Sequence, residues 1–282
     1  MKLAAISGYA GSDYLVRLPS ALQGPQTATI ETLGGSAWPR PGGAALYVAR
    51  HLSAAGHHAA PLIAVGDDTN GRSYLDAVDA YGIDATGMRV VKDARTPWCM
   101  LLYHDDGDYT CLIDRGTVKQ QALNDAQRTL IRAADYVCIA AGDAEVSTRV
   151  LDELPQTTPL AWIAKRDSDC FPTALGRRLA QRADIIFCNS SERPQVDSAR
   201  FEAHRAHQIV IETRGASGVA IECDGDIQRV DVEPMQVRDA TGAGDTLAGG
   251  VIASLLAGEC SIEAAVREGV RAARRLLQGR TT

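Results

Sequence analysis

The sequence predicts an α/β protein: a three-layer α/β/α sandwich around a mostly parallel central sheet, with a small second β-sheet attached. Two observations carry this. From residue 123 onward, helix-like and strand-like stretches alternate, and such alternation builds a parallel sheet covered by helices on both faces. Earlier in the chain lie short strand-like stretches and a hairpin that do not fit the alternation, and these predict the small sheet. The 282 residues, 45% hydrophobic and 23% charged, suit a single domain over 1–282 with its own core. Segments 13–38 and 95–115 are expected to form a lid inserted in it.

Taken in order, residues 3–6 read as a buried strand, and 13–17 and 28–33 as short exposed strands. Residues 34–43 are rich in Gly and Pro and read as a loop. Over 43–55, Leu46, Val48, Ala49 and Leu52 have helical spacing, closed by Gly56. A second buried strand is expected over 60–65, and a helix over 70–81 that ends at Gly82. Stretches 96–103 and 109–114, joined by Asp105-Asp106-Gly107-Asp108, form the hairpin. Helices follow over 123–133, 146–154, 175–181 and 200–204. Strands are expected over 136–140, 160–164, 185–188 and 208–212, then an antiparallel pair over 219–222 and 227–231. Helices over 241–256 and 262–277 close the chain.

The formal net charge of −6 argues against partners such as nucleic acid or anionic lipid, so any phosphate site must be local. Seven cysteines without a Cys-x-x-Cys pair read as reduced thiols rather than a disulfide or zinc framework. No apolar run approaches the ~18 residues of a membrane span. The first apolar run is too short for a signal peptide, so the expected compartment is the cytoplasm. His57 and His58 read as surface residues without carboxylate partners. Arg267, Arg271, Arg274 and Arg275 read as a basic stripe favouring the end of the last helix. Trp38 and Trp98 are expected to pack within the small sheet or across a dimer, with ligand contact as the alternative. A dinucleotide-binding oxidoreductase is disfavoured, because no Gly-x-Gly-x-x-Gly follows the first strand.

The most informative stretch is Asp239-Ala240-Thr241-Gly242-Ala243-Gly244-Asp245. Its glycines permit close backbone approach at the start of a helix, where free N–H groups and the helix dipole favour an anion. Asp245 in the first turn has two readings. It caps the helix, or it takes a proton from a hydroxyl that attacks phosphorus. Asn189-Ser190-Ser191-Glu192 follows a predicted strand, where open α/β sheets bind ligands. It reads either as a solvated turn or as an amide and carboxylate that organise Mg²⁺. Thr213-Arg214-Gly215-Ala216-Ser217-Gly218 is either a plain Gly-x-x-Gly turn or a loop whose glycines, hydroxyls and Arg214 line a nucleotide.

Together, in this order, these segments resemble the ribokinase-like (PfkB) family of carbohydrate and nucleoside kinases, from the Asp13 region to the last helix. The 239–245 segment is close to that family's Asp-Thr-x-Gly-Ala-Gly-Asp signature, with Ala240 in place of Thr. Asn189 and Glu192 match its Asn-x-x-Glu, and Thr213, Gly215 and Gly218 its Thr-x-Gly-x-x-Gly nucleotide loop. Gly42-Gly43 match its N-terminal diglycine, and Asp13 falls where an aspartate bonds substrate hydroxyls. The resemblance implies an ATP-dependent phosphotransferase acting on a hydroxyl of a sugar or nucleoside. Asp245 would be the base, and the amides of Gly242, Ala243 and Gly244 would stabilise the transferring phosphoryl group. Asn189, Thr213, Gly215, Ser217 and Gly218 would hold the nucleotide, and Asp13, Gly42, Gly43 and Tyr47 the acceptor. Mg²⁺ would sit near Glu192, largely through water. Asp239 would take part in a monovalent cation (K⁺) site, as in some relatives. The lid would close on the site and form a homodimer interface. A ligand-binding or regulatory protein on the same fold is the alternative from another class.

Three departures bear on this. Tyr47 stands where the family usually has Asn, and it either stacks on a substrate ring or fills space. Ile163-Ala164-Lys165-Arg166 replaces the usual polar pattern, and either basic residue would reach the phosphates or remain an exposed pair. The sequence ends at Thr282, where relatives continue with a segment bordering adenine, so the adenine wall is not assigned.

Overall fold

A computed structural model describes residues 1–18, 24–25, 27–33, 38–104, 109–118, 122–201 and 205–280. In chain order the strands are β1 (Leu3–Ser7), β2 (Gly11–Arg17), β3 (Glu31–Thr32), β4 (Arg40–Gly42), β5 (His58–Leu62), β6 (Ala64–Gly66), β7 (Arg89–Val91), β8 (Trp98–Tyr103), β9 (Tyr109–Asp114), β10 (Tyr136–Ile139), β11 (Leu160–Ile163), β12 (Ile185–Asn189), β13 (Ile209–Thr213), β14 (Val219–Cys223) and β15 (Asp226–Val230). The helices are α1 (Ala44–Ala54), α2 (Thr69–Ala80), α3 (Asp125–Ala133), α4 (Ala144–Glu153), α5 (Thr173–Arg182), α6 (Arg193–Phe201), α7 (Ala243–Leu256) and α8 (Ile262–Gln278).

Eight strands form the main sheet in the order β15-β14-β13-β12-β11-β10-β1-β5. Pairing is parallel from β5 to β13 and antiparallel between β13, β14 and β15. Alternate side chains of each strand enter two separate cores, as period-2 geometry requires. Ile6, Cys138, Ile163 and Phe187 face α1, α7 and α8. Ala5, Val137, Trp162 and Ile186 face α3, α4, α5 and α6. The parallel strands β1, β5 and β10–β13 are buried on both faces, so they read in the sequence as continuous apolar runs.

The second sheet has the order β3-β2-β8-β9, with β4 paired to β2. Its β2–β8 pair is parallel, in the register Asp13–Cys99. Leu15, Leu33, Leu101 and Tyr103 give it a small core of its own. β6 and β7 form a third, two-stranded sheet.

The helix starts follow the sequence chemistry. Asp68, Asn124, Asp143 and Ser261 cap α2, α3, α4 and α8 through their side chains. Several expectations need correction. The 13–17 strand is not exposed, because Asp13, Leu15 and Val16 are buried. Only Glu31–Thr32 of 28–33 is strand. The apolar run 60–65 breaks at Ile63 into β5 and β6, which belong to different sheets. The helix expected over 200–204 lies earlier, at Arg193–Phe201, where Glu192 and Pro194 masked the start; residues 202–204 lie outside the described residues. So do the hairpin turn 105–108, loop residues 34–37, and 19–23 and 26 of the expected lid segment. His58 is not free of carboxylates, since its Nε2 meets Asp84 at 2.7 Å. The arginine stripe is held by Glu263, Glu268 and Glu233 rather than by the helix end. Trp38 and Trp98 both pack edge-on against Tyr14 within the small sheet.

Candidate active site

The parallel strands all end at one edge of the main sheet, and a cavity of about 830 Å³ opens there between that edge, the small sheet and α8. Crevices beyond the carboxyl ends of parallel strands are where α/β sheets place ligands. Asp245 lies in its middle, in the first turn of α7. At one end are Asp13, Trp98, Leu101, Tyr109 and Ile113, from the small sheet. At the other are Thr213, Gly215 and Gly218, with Val232, Met235 and Leu277.

α7 starts differently from the side-chain-capped helices. Its cap is Gly242, in the left-handed region at φ 75°, with no side-chain hydrogen bond. The amide of Ala243 donates to Ala240 O at 3.1 Å and that of Thr246 to Gly242 O at 2.9 Å. The first-turn amides left without a backbone acceptor, among the described residues, are those of Gly244 and Asp245. Together with the amide of the cap residue Gly242, these are the backbone donors at this turn that remain open to an anion, while that of Ala243 is taken by Ala240 O. A side chain is excluded at Gly242, because its Cβ would lie 2.6 Å from the Tyr47 ring. Tyr47, 5% exposed, thus supports the turn from beneath, which favours its space-filling reading over stacking on substrate.

Burial pushes the Asp245 carboxyl up to about 6. Lys165 opposes that rise, while Glu192 and Asp13 add to it. Lys165 Nζ lies 3.6 Å from Glu192 Oε1 and 3.4 Å from the Tyr109 hydroxyl. Burial also raises the Asp13 carboxyl, partly countered by a hydrogen bond from Cys99 Sγ at 3.1 Å and by the charge of Arg40. A Cβ on Gly42 would fall 2.0 Å from Asp13 Oδ2, so only glycine leaves room for that carboxylate.

Asn189 Oδ1 accepts from the amides of Ser191 and Glu192, and the Asn189 amide donates to Glu192 Oε2 at 2.9 Å. This reciprocal turn aims Glu192, 6% exposed, at the cavity. Among the described residues no three acidic, histidine or cysteine side chains cluster as a metal cage. One buried carboxylate facing the cavity fits Mg²⁺, which binds through one or two carboxylates, phosphates and water.

Asp239 lies behind the turn, 5% exposed. Its Oδ2 is 2.8 Å from Arg40 Nη1 and 3.3 Å from Arg280 Nη1. Its Oδ1 accepts from the Thr241 amide at 2.9 Å and the Tyr103 hydroxyl at 3.2 Å. Against the cost of burial, the two guanidinium groups hold this carboxyl below its usual range. With both oxygens so occupied, the residues do not fit a monovalent cation at Asp239.

A family model described as pfkB family carbohydrate kinase matches residues 20–282. The chain belongs to the pfkB family. It is 25% identical over 258 residues to a nucleoside kinase of Methanothermobacter thermautotrophicus, covering 89% of this chain and 82% of that one. It is 26% identical to a cytidine kinase of Thermococcus kodakarensis, covering 84% and 88%. The crystal structure of Methanocaldococcus jannaschii nucleoside kinase, an archaeal member of the ribokinase family, superposes with a TM-score of 0.81 at 17% identity, covering 99% and 92%. The fold is that of ribokinase, and the chain is an ATP-dependent kinase of sugars or nucleosides.

This pfkB kinase gathers Asp13, Gly43, Tyr47, Asn189, Glu192, Thr213, Gly215, Gly218 and the 242–245 turn around one cavity. Gly42, Asp239 and Ser217 do not line it. The first two support lining residues, whereas Ser217 is exposed at the turn and its neighbour Ala216 faces inward. Arg214 is turned to Glu212 at 2.7 Å. Of the basic pair, Lys165 reaches the site. Arg40, Arg280, Tyr103 and Cys99 were not foreseen. A lone Arg in the Gly/Pro-rich 34–43 stretch was the one available signal; nothing marked Arg280. The wall beside the Thr213–Gly218 loop also went unread. It comes from Val232 and Met235 and from Val270, Ala273 and Leu277 of α8.

Proposed function

We propose that this kinase transfers the γ-phosphoryl group of ATP to a primary hydroxyl of a nucleoside, with Asp245 as the base. The observation that carries the reading is the position of Asp245. Its carboxylate lies beside unpaired helix amides, midway along a cavity that runs from Asp13 to the Thr213–Gly218 turn. A carboxylate there suits proton abstraction and not passive anion binding. Asp13, whose side-chain donor is a thiol, has lone pairs free for acceptor hydroxyls. The acceptor end is walled by Tyr9, Trp98, Leu101, Tyr109 and Ile113, an apolar and aromatic surface that suits a base better than a sugar alone.

In this scheme Asp13 orients the acceptor, and Asp245 removes the proton as the hydroxyl oxygen attacks the γ-phosphorus. The amides of Gly244 and Asp245 meet the charge on the transferring oxygens. Glu192, set by Asn189, and Lys165 hold the phosphate end. Mg²⁺, when bound near Glu192, would neutralise phosphate charge. Thr213, Gly215 and Gly218 carry the nucleotide against α8. The small sheet would act as a lid within a single domain, excluding water during transfer. Its edge strand β9, with Leu112 exposed by 50% on the face turned away from the cavity, supports a homodimer through the lid. Free thiols at all seven cysteines and ATP as donor support a cytoplasmic setting.

A coupled ADP-release assay with Mg·ATP tests this across nucleosides, pentoses and hexoses, beside Asp245→Asn. Turnover with a nucleoside that Asp245→Asn abolishes supports the reading. Turnover with free sugars alone would overturn the nucleoside assignment, and turnover that survives Asp245→Asn would overturn the base.

A further inference from the structure

We infer that Arg280 is a built-in cation that positions the phosphate-binding turn, so that this kinase works without an exchangeable monovalent cation. The inference rests on the kinase reading of the 239–245 turn and concerns what holds that turn in shape. Three oxygens converge behind it: the carbonyls of Asp239 and Thr241 and Oδ2 of Asp239. Carbonyl and carboxylate oxygens converging in this way are the kind of ligands that a monovalent cation takes. Here they surround a guanidinium. Arg280 Nη1 donates to Thr241 O, lies 3.4 Å from Asp239 O and pairs with Asp239 Oδ2 at 3.3 Å. Its Nη2 reaches the Tyr47 hydroxyl at 3.4 Å, and its carbon sits 5.8 Å from the centre of the Tyr47 ring. The side chain is only 13% exposed.

The consequence for the site is geometric. Thr241 precedes Gly242, whose left-handed backbone aims the amides of Gly244 and Asp245 into the cavity. Fixing the carbonyls of 239 and 241 fixes the path into that residue. Arg280 follows the last turn of α8, where its amide bonds Leu277 O at 3.0 Å, and Leu277 lines the nucleotide end. One guanidinium thus ties the nucleotide wall to the catalytic turn. A planar donor fork holding several oxygens at once does this better than an ammonium. A tethered charge also cannot diffuse away.

The test is calorimetric titration of Mg·ADP in choline, sodium and potassium chloride at equal ionic strength, on the natural chain, Arg280→Lys and Arg280→Ala. Binding by the natural chain is expected to vary by less than about twofold among the salts, well under 1 kcal/mol. Arg280→Ala should lose about tenfold or more in affinity, as expected for a charge-assisted contact, and recover part of it in potassium or with added guanidinium. Arg280→Lys should retain more than Arg280→Ala. Potassium tightening the natural chain's binding by about fivefold or more over choline overturns the inference, and that comparison needs no variant to fold. So does a folded Arg280→Ala that binds as the natural chain does. If Mg·ADP fails to bind the natural chain in every salt, the kinase reading fails first and this inference falls with it.

Discussion

Replacing Asp245 by Asn removes a charge that folding has placed in an unfavourable position, and stability and activity should move in opposite directions. Burial raises this carboxyl from its ordinary 3.8 to about 6. At about 1.36 kcal/mol per pKa unit, the ionised group costs the folded state roughly 3 kcal/mol. The cleft is open to water and an amide brings its own hydrogen-bonding needs, so the gain on substitution should be about 1–3 kcal/mol. The sign follows from proton binding. The folded chain holds this proton more tightly than the unfolded one, so the cost is absent below about pH 4. It grows through the interval up to about 6 and is constant above. Thermal unfolding of Asp245→Asn against the natural chain is therefore the assay. At pH 7.5 the variant should melt a few degrees higher, about 2–4 °C for each kcal/mol in a chain of this size. At pH 4 the two should coincide. Turnover at pH 7.5 should fall by about 10²–10⁴, the usual contribution of a general base. A variant less stable at pH 7.5, or equally stabilised at both pH values, would refute the account of a buried, reluctantly ionised carboxylate.

Three further outcomes follow from the same geometry. The rate should fall on the acid side as Asp245 protonates near its value of about 6. Lys165→Met, which removes the charge opposing that rise, should move this limb upward by up to about one pH unit in a pH–rate profile. Gly242→Ala would combine strain at φ 75° with a Cβ 2.6 Å from the Tyr47 ring. It should lower kcat by about 10-fold to 100-fold, from roughly 1–3 kcal/mol of strain, measured with saturating Mg·ATP. Asp239→Asn leaves Arg40 and Arg280 without their shared carboxylate. It should destabilise the fold by about 3–5 kcal/mol, read by denaturant unfolding.

The reading of the main sheet from sequence succeeded where local pattern and environment agree. β10, β11, β12 and β13 are short apolar runs covered on both faces, and the chain between them has the helical period. The reading faltered where the partner strand decides. The 13–17 stretch looks like an exposed strand, with the charged Asp13 and Arg17 at its ends, yet pairing with β8 and packing within the fold bury Asp13. β5 and β6 looked like one strand because Leu62, Ile63 and Val65 are all apolar; the switch of sheet at Ile63 has no compositional mark. The site divides in the same way. The 242–245 turn, Asn189–Glu192 and Thr213–Gly218 are local motifs whose chemistry lies within a few consecutive residues. Arg40 and Arg280 act on Asp239 from 199 and 41 residues away, and long-range pairs of this kind leave no spacing to read.

Three aspartates of the site show how environment assigns different work to one side chain. Asp239 is held by two guanidinium groups, a backbone amide and a tyrosine hydroxyl, so its charge is fixed and its role is to anchor the turn. Asp13 is equally buried but has no ion pair among the described residues; a thiol bonds it and Arg40 acts only at a distance. It therefore gains most from hydroxyl donors brought by an acceptor, and binding should supply the hydrogen bonds that folding withheld. Asp245 stands between these cases. Lys165 is near enough to oppose the effect of burial without cancelling it, which leaves the carboxyl well above its ordinary range, as the proposed role of base requires. Strengthening its neutralisation would lower that basicity, and removing Lys165 would leave more of it protonated. The place of Lys165, 3.6 Å from Glu192 and near enough to act on Asp245, is thus a compromise that the acid limb of the pH–rate profile measures directly.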